Sequence, residues 1–312
     1  MAVTRTNILN NTSVRDKFIE GVLRLKREII NPTQQTSTWD AFVIWHQRTM
    51  MKMTPPTQSS RNAAHRGPVF LPWHRFMLIA LERQFQRVLN DSSFALPYWS
   101  WHADGDLTPA KQRQSALWKS NCLGGSGNPV TTGPFAFNAN DPNSFRIRVE
   151  ANSSGNLVLT NRGLRRALGQ DIATLPTTAR ARAAVALATY DEPNWGTASS
   201  TTFRNVAEGW QPNGPGLHNR VHVWVGGDMA PGTSPNDPVF YLNHCNADRM
   251  WAAWQTKHPS SPYLPPDSAP SSLLGHRLGD RLESMFSGTP PRIRDMLNVS
   301  SVYTYDTVAD LI

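Results

Sequence analysis

The chain has 312 residues, with 31 Lys and Arg against 23 Asp and Glu and a net charge of +8. A hydrophobic fraction of 39% in a chain of that length predicts a soluble, globular protein with a well-buried core. No run approaches the roughly 18 apolar residues of a membrane span, and no Lys/Arg stripe interleaved with aromatics marks a nucleic-acid surface.

The basic residues are scattered, which reads as a solubilising surface or, more sharply, as attraction of anionic substrates or an acidic partner. The polar N-terminus, Met1 to Asn11, lacks the apolar core of a signal peptide. The expected location is the cytoplasm, or outside the cell by way of a helper protein. Two cysteines, Cys122 and Cys245, are too few for a disulfide framework.

Ser13-Val14-Arg15-Asp16 resembles a capping box, and Phe18, Val22, Leu25 and Ile29 follow at helical spacing until Pro32. Ser37-Thr38-Trp39-Asp40 opens a second helix, on which Phe42 and His46 share a face before Pro55-Pro56. Pro72 suits the first turn of a third helix. Trp73, Met77, Leu81 and Phe85 form its stripe to about Leu89, with His74 beside it. From Pro97 to about Asn140 the chain reads as irregular. Phe145, Ile147 and Val149, then Leu157 and Leu159, alternate about Asn152-Ser153-Ser154-Gly155 as a hairpin. A short helix is expected near Ala179 to Ala188.

His218 and His222 lie one turn apart on the next core helix. Asp237 caps a last helix with Pro238 at its first position, and Phe240, His244, Asp248 and Trp251 follow along one side. His258 to Leu274 reads as an extended surface loop, and Val302 to Tyr305 as a short final strand. No boundary divides the chain, so residues 1–312 are expected to form one domain.

Six of the nine histidines thus fall into two triplets: His46, His65 and His74, and His218, His222 and His244. A single helical histidine is more often a satisfied core residue. Two triplets beside similar Trp/Phe/Pro strings point to a metal pair, and three neutral imidazoles suit copper. Such a site leaves each ion open to an exogenous molecule, as oxidation of an ortho-diphenol by dioxygen requires. A zinc hydrolase would use the same i, i+4 spacing but needs Glu after the first His, where this chain has Asn219. His102, His258 and His276 are expected to be non-ligands, with His102 adjoining the site. Asp248 is a candidate partner either for a metal-bound imidazole or for a nearby Arg.

Arg66-Gly67-Pro68-Val69-Phe70-Leu71-Pro72-Trp73-His74-Arg75 resembles the first copper motif of the tyrosinase family, most closely its actinobacterial members. Leu217-His218-Asn219-Arg220-Val221-His222 and Ser234 to Trp251 resemble its second. The likeness implies a mainly α fold, a four-helix-bundle core holding a dinuclear copper site, with a small β-hairpin and long loops. It implies two copper ions, copper A on His46, His65 and His74 and copper B on His218, His222 and His244. It also implies that Glu208 and Asn219 hold a water in members that hydroxylate monophenols, and that Phe240 packs over a copper B imidazole.

Three departures stand out. Asn243 occupies a position usually held by His. Gln211-Pro212-Asn213-Gly214-Pro215 lengthens the segment between Glu208 and His218. Ala63 stands where fungal and plant relatives carry a thioether Cys. The expected function is therefore oxidation of o-aminophenols and o-diphenols (catechols) by O2, with monophenol hydroxylation as the alternative and a hemocyanin-type oxygen carrier as an alternative of another class. A small phenolic or aminophenolic substrate and a small copper-delivering helper protein are the expected partners. The site entrance is expected to be bordered by Met229 to Thr233.

Overall fold

The computed structural model describes residues 2–312. It is mainly helical, as expected. In chain order the helices are α1 (Thr12–Arg27), α2 (Thr38–Met51), α3 (Phe70–Leu89), α4 (Trp101–Gly105), α5 (Pro109–Arg113), α6 (Thr178–Val185), α7 (Phe203–Glu208), α8 (Leu217–Val225) and α9 (Val239–Lys257). Three small two-stranded sheets decorate them: β1 (Val3–Arg5) with β6 (Tyr303–Tyr305), β2 (Ile29–Asn31) with β3 (Thr36–Ser37), and β4 (Ile147–Ala151) with β5 (Leu157–Arg162). No helix among the described residues is long and apolar enough to cross a membrane.

Local signals place most helix ends. Ser37 caps α2 by accepting from the Asp40 amide, and Asp40 returns the bond to the Ser37 amide. Asn90, left-handed at φ 52°, ends α3. Asp237 is the last extended residue before α9, and its Oδ1 accepts from the Val239 amide at 3.0 Å.

Four readings needed correction. Helix α1 is capped by Asn11, whose Oδ1 accepts from the Val14 amide, rather than by Ser13. It stops at Arg27, so Ile29 belongs to a strand that pairs with Ser37. The segment 97–140 is not wholly irregular, since it holds α4 and α5, too short for a periodic stripe to show. The hairpin forms as expected, with β4 packed on the core and β5 as the outer edge, where Leu159 is 57% exposed. The 258–274 loop also buries Tyr263, whose hydroxyl donates to the His276 carbonyl at 2.8 Å.

Helices α2, α3, α8 and α9 surround the centre of the molecule. One hydrophobic cluster runs from Ile8 to Leu311. Trp45 of α2 meets Trp73 and Phe76 of α3 edge-on at 5.2 and 5.3 Å. The α3–α9 seam carries charge. Arg75 on α3 donates from Nε to Asp248 on α9 at 2.5 Å, and Arg5 on β1 reaches the same carboxylate at 3.4 Å. The Tyr303 and Tyr305 hydroxyls of β6 donate to it at 2.5 and 2.6 Å. Asp248 is thus an ion-pair partner and not an imidazole's acceptor. The two arginines and two hydroxyls hold its carboxyl below the usual range, against the upward push of burial.

Breaking a buried ion pair from one side strands the other charge. Asp248→Asn is therefore expected to lower unfolding free energy by about 3–5 kcal/mol, read as a reduced urea midpoint at unchanged m-value.

Candidate metal centre

Each histidine triplet converges. The ligand-type atoms of His46, His65 and His74 lie within 4.8 Å of one another, as do those of His218, His222 and His244. His46 comes from α2, His65 from the loop before α3, His74 from α3, His218 and His222 from α8, and His244 from α9. The two groups adjoin: the His74 and His244 rings stack at 4.1 Å, 18° from parallel.

The second nitrogen of most rings is fixed. His46 Nδ1 lies 2.6 Å from the Gly232 carbonyl, His74 Nδ1 2.8 Å from that of Phe70, and His222 Nδ1 2.6 Å from that of Met229. His218 Nδ1 lies 3.1 Å from Asn219 Oδ1 and 3.3 Å from the Glu208 carbonyl. A carbonyl only accepts, so these four Nδ1 atoms carry the proton and their Nε2 atoms present lone pairs. Close approach at Gly232 makes one of these bonds possible, because a Cβ there would sit 2.1 Å from Gln47 Oε1.

The lone pairs then face each other. His222 Nε2 and His218 Nε2 are 2.9 Å apart. His46 Nε2 and His74 Nε2 are buried with no hydrogen-bond partner. Two routes could relieve this: a proton on the rings, or a cation between them. Burial argues against the proton, pushing His46 down to about 3 and His222 to about 4, and His65, His74, His218 and His244 well down as well. Neutral imidazole groups of this kind fit a transition-metal ion.

Two phenylalanines hold the groups together. Phe240 sits 4.1 Å from His244 and 5.0 Å from His46. Phe70 sits 4.8 Å from His74 and 4.9 Å from His218. Each ring therefore touches both triplets. The expectation for Phe240 covered only half of this, and Phe70 was not singled out. The signal was present: Phe70/His74 and Phe240/His244 share the same i, i+4 spacing.

A cavity of about 490 Å³ opens onto His46, His65, His218 and His222. Ala230 and Pro231 line one side as expected, but Met229 and Thr233 are buried away from it. The opposite wall is Gly209, Trp210, Gln211, Gly214 and Pro215. Gly209, at φ 104°, lets that loop close on itself, its carbonyl accepting from the Gly216 amide at 2.9 Å. Asn219 lines the cavity, but Glu208 lies behind the wall. The Glu208 carboxylate accepts from the Arg66 amide at 2.7 Å and from Arg204 Nη1 at 3.0 Å. Burial raises its pKa while Arg204 opposes the rise. Asn243 reaches from α9 to the His218 carbonyl at 3.4 Å. His102 contacts Asp310 at 2.9 Å and Asn246 at 3.3 Å; His276 contacts Thr54 and His258 the Val185 carbonyl.

Residues 36–257 match the family model described as the common central domain of tyrosinase. This chain belongs to the tyrosinase family. It is 40% identical over 311 residues to a tyrosinase of Streptomyces antibioticus, covering 98% of this chain and 100% of that one. It is 34% identical over 332 residues to grixazone synthase of Streptomyces griseus, again covering 98% and 100%. The fold resembles a polyphenol oxidase variant of Thermothelomyces thermophila at a TM-score of 0.73 and 20% identity, covering 98% and 89%. It also resembles an octopus hemocyanin functional unit at a TM-score of 0.55 and 17% identity, covering 98% and 69%. Family membership makes the chain a copper-dependent oxidoreductase and names the metal that the imidazole groups fit.

Each buried ring binds its proton more weakly in the fold than in the unfolded chain. As pH falls below the ordinary 6.5, the unfolded chain takes up protons first. The stability present above 6.5 is then lost towards pH 4 and below. The metal-free protein is expected to show a falling Tm across that interval, and a flat Tm would contradict the burial of neutral rings.

Proposed function

We propose that His46, His65 and His74 hold one copper ion and His218, His222 and His244 a second, and that the chain uses O2 to oxidise o-aminophenols and o-diphenols to quinone imines or quinones. The copper pair, when bound, supplies the redox chemistry that takes two electrons from the aromatic substrate. The observation that carries this reading is the open cavity reaching both imidazole groups, with no carboxylate in its wall. A hydrolase would need a base there, and a pure oxygen carrier has no need of a substrate cavity of about 490 Å³.

The protein's own part is positional. Carbonyls of Gly232, Phe70 and Met229 orient three imidazoles and fix their tautomer. Phe70 and Phe240 pack against rings of both groups. Asn219, from the cavity wall, and the buried Glu208 carbonyl both lie beside His218 Nδ1 and orient that ring. The pairing of Glu208 with Arg204 and the Arg66 amide favours oxidation of o-aminophenols and catechols over hydroxylation, because both carboxylate oxygens already accept a bond. Hydroxylation of monophenols is the second reading, supported by Asn219 in the cavity wall and by relatives named tyrosinase.

Residues 1–312 act as one domain in this proposal, a reading supported by the single core cluster and by the pairing of β1 with β6. Copper would come from a small helper protein, with the cavity mouth as the point of delivery. Working location, in the cytoplasm or outside the cell, belongs to the same proposal.

The test is oxygen uptake by copper-loaded protein on catechol, o-aminophenol and tyrosine, alongside metal analysis. Two coppers per chain and faster turnover of the first two substrates are expected. A lag followed by efficient tyrosine oxidation would overturn the preference, and zinc in place of copper would overturn the metal assignment. His74→Ala or His244→Ala should reduce copper to one per chain or fewer. Oxygen uptake should fall by more than about 100-fold, beyond the 10–100-fold typical of losing an outer-sphere partner.

A further inference from the structure

Among the described residues, Arg66 is the one Lys, Arg, Asp or Glu in the cavity wall. Its side chain is exposed, and among the described residues no carboxylate pairs with it. Its guanidinium carbon instead stands 5.0 Å from the centre of the Trp210 ring. That cation–π contact holds the group against the cavity wall without consuming its hydrogen-bond donors. The backbone is arranged to the same end. Arg66 is left-handed at φ 63°, an uncommon state for a residue with a side chain. Its amide is pinned to Glu208 at 2.7 Å. Glu208 is in turn neutralised by Arg204, so the nearest acid does not quench the guanidinium. Trp210 belongs to the segment lengthened by Gln211 to Pro215, and Gln211 adds a neutral amide to the same wall.

We propose that Arg66, presented by Trp210, is a specificity residue that binds an anionic substituent on the aromatic substrate, so that the preferred substrates are aryl carboxylates. This deepens the oxidase reading and rests on it for the identity of the reacting groups. A planar guanidinium matches a carboxylate with two parallel N–H donors, which Lys cannot reproduce. The net charge of +8 favours the same sign of ligand at longer range.

Binding of non-oxidisable probes separates this claim from turnover. Calorimetry on the copper-loaded protein would compare 3-phenylpropanoate with its neutral amide, 3-phenylpropanamide. The anion is expected to bind about tenfold tighter, equivalent to ~1.4 kcal/mol. Arg66→Gln should abolish that preference, Arg66→Glu should invert it, and Arg66→Lys should retain part of it. Circular dichroism and copper content of each variant report whether the fold and metal site survive. Equal affinities in the parent protein would overturn the proposal, as would a preference for the anion that persists in Arg66→Gln. A preference that follows Arg66 in a protein that oxidises none of the catechols or aminophenols would uphold anion binding while defeating the oxidase reading.

Discussion

The Asp248 carboxylate ties together four parts of the chain that are far apart in sequence. Arg75 reaches it from α3, Arg5 from the first strand, and Tyr303 and Tyr305 from the last. Its own position is one turn beyond His244, and Arg75 directly follows His74. The ion pair therefore sets the register of α3 against α9, and with it the 4.1 Å stack of His74 on His244. Arg75 also lies 3.8 Å over Trp251 of α9, so packing and charge agree on one arrangement. Two charges buried this deeply cost solvation energy, and they are kept only when the remaining donors and acceptors are also matched. Here the tyrosine hydroxyls and the Met296 carbonyl supply those matches.

That frame makes an unfavourable arrangement possible at its centre. Six imidazoles, five buried and His222 partly so, are held with their ligand-type nitrogens converging. In the absence of a cation the arrangement is repulsive, and burial prevents a proton from relieving it near neutral pH. The fold thus stores in its frame the cost of a site that metal binding repays. Fixed carbonyl acceptors matter for the same reason: they prevent the rings from rotating to a tautomer that would remove the repulsion and the metal affinity together.

The cavity adds selectivity through its wall. One side, Ala230 and Pro231, is small and neutral. The other combines an indole, an amide and a guanidinium. The wall carries one guanidinium, that of Arg66 against Trp210, and no carboxylate among the described residues.

Much of the site was legible in the chain alone. Imidazole spacing of four on α8, a proline opening α3, and paired Trp/Phe strings all reflect local rules, because helix periodicity and capping depend on neighbours within one turn. The sequence by itself singled out six histidines in two triplets, placed them on helices or just before them, and pointed to copper. It did not show that Asp248 serves arginines rather than an imidazole, that Phe70 spans both groups, or that Glu208 is tied to Arg204 and Arg66. Nor did it show that Arg66 leans on Trp210. Apart from Arg204 and Glu208, which lie one turn apart on α7, those pairings join residues up to 243 positions apart, and no local rule of spacing reaches that far. Only the packing of helices and strands decided them, because a buried charge or lone pair selects its partner from whatever the tertiary fold brings within hydrogen-bond distance.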